Sequence, residues 1–378
     1  MRVVVVGLEF GAEFVPIYRD HPGVTGTGVA DLRADLARAT AGRFGVDHVY
    51  PDLDAALADP AVDAVHIVTG LPGHADQVVR ALAAGKHVAC TVPMALSMAE
   101  LAGIVAARRA AGTTYMMMET AVYTREFLWA RDLVTSGALG RISYARGTHF
   151  QDMTGWPSYW RGLPPMYYAT HAVAPILALL GTRATAVRAL GGGRLDPANQ
   201  GDYGNPFPVQ SALIEVARPD VVLELTRSLF QLARSYTESF SIYGDRQAIE
   251  WPQLEGDGEH PVLFTMGGPG DAGRGRPVTS TRVEVPDRAD RLPEPIRKYT
   301  RQFAHAGEGH RSFVQGGGHG GSHPHLVHEF VSSVLAGRPP SVDDLTAANW
   351  TATGIAAHES ALRGGERVVI PDFQEQKG

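Results

Sequence analysis

Three stretches of this sequence carry side chains suited to chemistry, and each asks for a different partner. In MYYATHAV, His171 follows Tyr167 and Tyr168. An imidazole titrates near neutrality, so it can take a hydroxyl proton and later return it. The stretch THFQDMTGWPSYWRGLPP sets His149, Asp152, Trp156, Trp160 and Arg161 in a loop bounded by glycine and proline. Aromatic faces suit the C–H face of a polyhydroxylated ligand and the polar groups suit its hydroxyls, although tryptophans that merely plug a junction would look the same. The third stretch is VVVVGLEFGAEF at the start of the chain. A turn that lies against a pyrophosphate wants glycine at its first, third and sixth places, and here those places hold Gly7, Glu9 and Ala12.

Positioning these groups needs a scaffold, and the first third of the chain supplies its pattern. Short β-branched runs alternate with Ala-rich helical stretches, the signature of parallel βαβ units. Strands are expected at 2–6 and 26–30 and in AVDAVHIVTG, HVACTV and TYMMM; helices at 12–20 and 34–44 and in GHADQVVRALAAG and SMAELAGIVAARRAAG. The glycine turn follows the first strand and opens a helix. About 20 residues on, Asp31 ends the second strand, where an acid can bind a ribose 2′-hydroxyl. A dinucleotide is therefore expected, with NAD favoured over NADP because Asp31 would repel a 2′-phosphate, a preference that Arg33 would soften. Glu9 is expected to weaken pyrophosphate binding and not to abolish it, because Phe10, Gly11 and Ala12 still offer backbone N–H groups at the helix start.

Beyond residue 121 the rhythm becomes a helix at 125–136 and then long alternating runs, ISYARGTHFQ, SALIEVA, DVVLELTRSLF and ESFSIYG, which predict an antiparallel sheet with one buried face. The Gly/Pro-rich tracts 254–275 and 306–324 read as loops. Two helical patterns, HPHLVHEFVSSVLAG and LTAANWTATGIAAHESALRGG, and the strand RVVIP close the chain.

Length and composition bound the function. At 378 residues and 44% apolar, two cores are expected, and a net charge of -6 without a basic block argues against nucleic acid or an anionic membrane as partner. The single cysteine, Cys90, makes no internal disulfide, and the first apolar run is too short for a secretory signal, so a cytoplasmic protein is expected. The histidines of HGGSHPHLVHEF lack a cysteine partner and are not read as a metal site, although His323 or His325 could meet a substrate or an interface.

In their order along almost the whole chain, several pieces resemble the Gfo/Idh/MocA family: GLEFGAEF, Asp31, Thr69 to His74, AGKHVACTVPMA, LGRI at 139–142, MYYATHAV, GRPP and AANWTATGIAAHESA. The resemblance implies an N-terminal Rossmann domain, a doubly wound parallel sheet spanning 1–121, and a domain spanning 122–378 built on a large open, mainly antiparallel sheet. The second domain would bind substrate and build a homo-oligomer, a dimer or tetramer, with the C-terminal helices packing back on the first. It implies NAD held by Gly7, Glu9, Phe10, Gly11, Ala12, Asp31, Arg33, Thr69, His74, Thr91, Val92, Pro93 and Glu119. Catalysis would fall to His171 with Tyr167 and Tyr123, and a sugar, glycoside or cyclitol would meet His149, Asp152, Trp160, Arg161 and His325.

Two departures matter. Where many relatives have Glu-Lys-Pro, this chain has Thr91, Val92 and Pro93, a variant similar to the NAD-dependent glycosidases of the superfamily. Tyr167 and Ala174 stand where relatives often place acids around the histidine. Two fates of the hydride stay open on this reading, net dehydrogenation and return to the same substrate after a bond has broken. A non-catalytic nucleotide-binding protein is the alternative from another class.

Overall fold

The computed structural model describes residues 1–218, 220–234, 236–253, 260–269, 275–301, 303–304, 314–315 and 319–374. The chain divides into two compact units, one made of Met1–Thr124, Asp287–Ala348 and the segment from Phe373, the other of Arg125–Pro286 and Asn349–Asp372.

In the first unit, strands β1 (Arg2–Val6), β2 (Gly26–Ala30), β3 (His48–Tyr50), β4 (Ala64–Ile67), β5 (His87–Cys90) and β6 (Tyr115–Met117) form a parallel sheet in the order β3-β2-β1-β4-β5-β6. Helices α1 (Val15–Asp20), α2 (Ala34–Phe44), α3 (Leu53–Ala58), α4 (His74–Ala83) and α5 (Met98–Ala111) connect them. The valines of β1 are buried on both faces, as a central parallel strand requires. The order reverses between β1 and β4, and at such a switch point a doubly wound sheet opens a crevice beyond its carboxyl ends. The expected helix at 12–20 is a 3-10 turn at Gly11–Glu13 followed by α1. Pro16 lacks the N–H that would bond the Ala12 carbonyl, so one continuous α-helix cannot run through. β3 and α3, at three and six residues, are too short for sequence periodicity to announce.

In the second unit, α6 (Arg125–Thr135) precedes β7 (Ile142–Phe150), α7 (Thr170–Leu180), β8 (Ala184–Gly192), β9 (Val209–Val216), β10 (Val222–Ser228), β11 (Thr237–Gly244), β12 (Gln247–Glu250), β13 (Val262–Met266) and β14 (Val278–Arg282). The pair β15 (Phe303–Ala304) and β16 (Val314–Gln315) and helix α8 (His323–Ala336) belong to the first unit; α9 (Asp344–Leu362) begins there and continues in the second, before β17 (Val368–Val369). The nine-stranded sheet runs β14-β13-β12-β11-β7-β10-β9-β8-β17, antiparallel except between β7 and β10. It is thus mixed and mainly antiparallel. The tract 254–275 is not all loop, because Val262–Met266 finds β12 and β14 on either side. Residues 254–259 and 270–274 of that tract, and 306–313 and 316–318 of the other, lie outside the described residues.

Among the described residues no helix is long and apolar enough to cross a membrane. Where α1 packs on α8 in the first unit, His21 Nε2 and His328 Nδ1 meet at 3.0 Å. Burial first, then the neighbouring His328, push the His21 imidazole down to about 4. A folded-state pKa below the unfolded value means that the unfolded chain binds more protons between the two, so stability is lost as pH falls from about 6.5 to about 4. Denaturant unfolding followed across that window should show stability falling, with other buried histidines such as His66 and His358 contributing in the same direction, and His21→Asn should make the fall smaller.

Candidate active site

Strand register builds the first part of the site. On adjacent strands of the second unit, Arg227 of β10 pairs with His149 of β7, and His149 pairs with Glu238 of β11. Directly paired residues project to one face, so a cation, an imidazole and a carboxylate form a row across three neighbouring strands. All three are buried. Two residues back, Gly147 opens a close approach, since a Cβ there would stand 1.9 Å from the Ala172 carbonyl oxygen. The first turn of α7 therefore rests against β7 and delivers its second residue, His171, to the row.

The resulting contacts are specific. The rings of His171 and His149 lie 5.0 Å apart, edge to face, and the Tyr168 ring stands 5.3 Å from His171. His171 Nε2 is 3.7 Å from Glu238 Oε1, within ion-pair reach and slightly beyond a direct hydrogen bond. The Tyr236 hydroxyl donates to the same carboxylate, and the Tyr236 ring sits 5.3 Å from His149. Although the residue is partly exposed, desolvation around the hydroxyl and the Glu238 carboxylate beside it raise the Tyr236 phenol pKa well above its ordinary value, which suits it to donate and not to ionise. Arg227 Nε donates to the Tyr168 carbonyl at 2.9 Å and its Nη1 to the His149 carbonyl at 3.1 Å. Burial pulls its guanidinium down to about 9. Nearby in sequence, Thr170 Oγ1 and Ser228 Oγ are buried without a hydrogen-bond partner among the described residues. Buried hydroxyls rarely stay so, and a polyhydroxylated ligand or ordered water would satisfy them.

Of the substrate residues expected from sequence, His149 and Trp160 join this cluster, with the Trp160 ring 4.9 Å from that of Tyr168. Asp152 and Arg161 are exposed, and Asp152 caps Thr154. Tyr167 turns to His358, ring centroids 5.2 Å apart. Tyr123 and His325 belong to the first unit, where the Tyr123 hydroxyl bonds Ser341. Sequence reasoning missed Arg227, Glu238, Tyr168 and Tyr236. Their signal was present, since Arg227 falls in phase with the buried Leu223 and Leu225, and Glu238 with Phe240 and Ile242. A charge on the inward phase of a strand is costly unless it is used.

The first unit, taken by itself, carries the residues expected to hold a dinucleotide. Gly7 adopts φ 87°, and a Cβ there would lie 2.6 Å from the Val68 carbonyl oxygen; one on Gly11 would crowd Val5 and Val68 at 3.1 and 3.2 Å. These glycines let the turn fold back over β4. Asp31 Oδ2 accepts the Leu8 N–H at 2.9 Å, fixing the turn to the end of β2. Glu9 points to Arg33, 2.8 Å away. His74 ties two loops together, Nδ1 to the Pro93 carbonyl at 2.9 Å and Nε2 to that of Thr69 at 3.0 Å. Thr91 donates to Ile67 and Val92 is buried. Glu119 accepts the Ala121 N–H at 3.0 Å at the end of β6. Past the turn, Glu13 meets His323 at 3.3 Å, and burial lifts its carboxyl to about 8. Among the described residues no three His, Cys, Asp or Glu side chains gather as for a metal ion.

A glycine turn after the first strand of a doubly wound sheet, with an acid at the end of the second, is the pattern of a dinucleotide-binding domain. Residues 1–119 match the Gfo/Idh/MocA family model, described as an oxidoreductase family with an NAD-binding Rossmann fold, a likeness that covers the first part of the chain. An uncharacterized oxidoreductase, ORF334, of Rhizobium meliloti is 33% identical over 135 residues, which span 35% of this chain and only 40% of that relative. A glycosyl hydrolase family 109 protein of Streptomyces coelicolor is 24% identical over an alignment that takes in 99% of this chain and 83% of its own length. Levoglucosan dehydrogenase, solved with NADH and levoglucosan, shares the fold, with a TM-score of 0.76, 20% identity and coverage of 98% of this chain and 99% of its own.

Proposed function

We propose that the chain oxidises a carbinol carbon of a sugar, glycoside or cyclitol, with His171 taking the hydroxyl proton. The observation that carries this reading is the buried row Arg227, His149 and Glu238 beneath His171. When bound, NAD supplies a hydride acceptor that can also return what it receives. The chain's own residues handle the proton and the placement. His171 Nε2 accepts the proton, and Glu238, 3.7 Å away, stabilises the imidazolium that results. Tyr236 holds the carboxylate in place. Trp160 and Tyr168 offer faces to the ligand's C–H groups. In the first unit, Thr69, Thr91, Val92, Pro93 and Glu119, after β4, β5 and β6, with His74 at the start of α4, would hold the cofactor.

The substrate class rests on the relatives, one named for a sugar dehydrogenase and another for glycoside hydrolysis. A redox-neutral glycoside cleavage is the finer version. Val92 in the place of the usual lysine favours it, because no cation is there to polarise a ketone product for release, and so does the end-to-end alignment with the family 109 protein. In this version a base removes the C–H proton beside the transient ketone, the anomeric substituent leaves, water adds and hydride returns. Tyr168 suits that base better than Tyr167 or Tyr123, which face His358 and Ser341.

A panel of free sugars, cyclitols and aryl glycosides, each run with stoichiometric and with trace NAD, tests the reading. Dehydrogenation gives one NADH per sugar consumed. Cleavage gives released aglycone under trace NAD and no accumulating NADH. Absence of both across the panel would speak for the non-catalytic alternative.

A further inference from the structure

The third place of the glycine turn holds a carboxylate, and the neighbours of that carboxylate give it a purpose. Glu9 Oε1 lies 2.8 Å from Arg33 Nη1, and Arg33 Nε lies 3.3 Å from Asp31 Oδ1. The Arg33 N–H also donates to Asp31 Oδ1, at 2.9 Å, while Asp31 Oδ2 is taken by the Leu8 N–H. Asp31 is the acid at the end of β2, where a ribose 2′-hydroxyl is read, and Arg33 stands two residues beyond it, where an arginine can accommodate a 2′-phosphate. The chain therefore carries both the NAD acid and a candidate NADP cation.

We propose that Glu9 tethers Arg33 and thereby sets the preference for NAD over NADP. The physical argument is one of charge. Glu9, Asp31 and Arg33 together carry one net negative charge, and a phosphate monoester brings about -1.5 to -2 more near neutral pH. For Arg33 to turn to that phosphate it must leave Glu9, which then stands unpaired in front of a dianion. A bound NAD, with a neutral 2′-hydroxyl, demands no such exchange. The side chains of Arg33 and Glu9 are 51% and 68% exposed, so the pair adds little to stability. What it controls is which partner the guanidinium is free to meet. This reading differs from direct repulsion of the pyrophosphate by Glu9, which would penalise both cofactors alike.

Calorimetric titration of NAD and of NADP separates the two, with no dependence on turnover. Glu9→Gln is expected to tighten NADP by about tenfold while NAD stays within about twofold. Adding Arg33→Met to Glu9→Gln should erase the gain. Asp31→Asn serves as contrast, since it should weaken NAD, which Glu9→Gln should not. Equal tightening of both cofactors, no change in either, or a gain that survives Arg33→Met would overturn the proposal. Failure of the unsubstituted chain to bind NAD would overturn the cofactor assignment as well, and that result appears before any substitution is made.

Discussion

Turnover of the His171→Gln variant is expected to fall by about a thousandfold, with NAD affinity held within about twofold. His171 reaches the row through the first turn of α7, and glutamine keeps a polar side chain of similar length there without a group that accepts a proton near neutrality. The loss should fall on kcat, because a proton acceptor acts in the step and contributes less to ground-state binding. Rates measured against NAD titrations on the same preparation make the comparison. A variant that kept a tenth of the activity would mean that the proton leaves by another route, with His149 or Tyr168 the nearest alternatives in the same cluster.

Glu238→Gln is expected to lower kcat by about 10- to 100-fold and to move the acidic limb of the kcat/KM profile to lower pH. The carboxylate 3.7 Å from His171 favours the imidazolium, so the neutral amide removes that support while keeping the shape and an acceptor for the Tyr236 hydroxyl. A positioning residue with no electrostatic part would change the rate and leave the profile where it was. Unchanged rate and unchanged profile together would remove Glu238 from the account. The same residue answers a question raised by the sequence, where Tyr167 and Ala174 occupy the places at which relatives often carry acids. In space, the acid beside His171 comes from β11, a strand whose sequence lies 67 residues further on.

That displacement shows why some of the site could be read in the sequence and some could not. The parallel sheet was legible because its strands are continuous apolar runs and its helices repeat at a helical period, and the turn at Gly7 with Asp31 after it is a local pattern. His171 and His149 were legible as residue types in unusual settings. Arg227 and Glu238 were not, because their meaning lies in a register between strands distant in sequence, which no local window contains. Their inward phase was visible, but an isolated charge within an apolar alternation does not say which histidine it faces. Tyr167 and Tyr168 are adjacent, and only the course of the chain into α7 decides which of them turns toward His171. Pro16 was in plain view, and its missing N–H was sufficient reason to break the first helix.

The central claim is that this chain removes hydride from a carbinol carbon while His171 takes the proton. Its most direct test is a single turnover with enzyme and bound NAD in excess over the best sugar or glycoside of the panel, following reduced-nicotinamide absorbance. A rise that is slowed by deuterium at the reacting carbon and lost in His171→Gln is the predicted result, and it is expected whether the hydride is then released as NADH or returned. Product formed with no reduced nicotinamide at any time and no isotope effect would contradict the account.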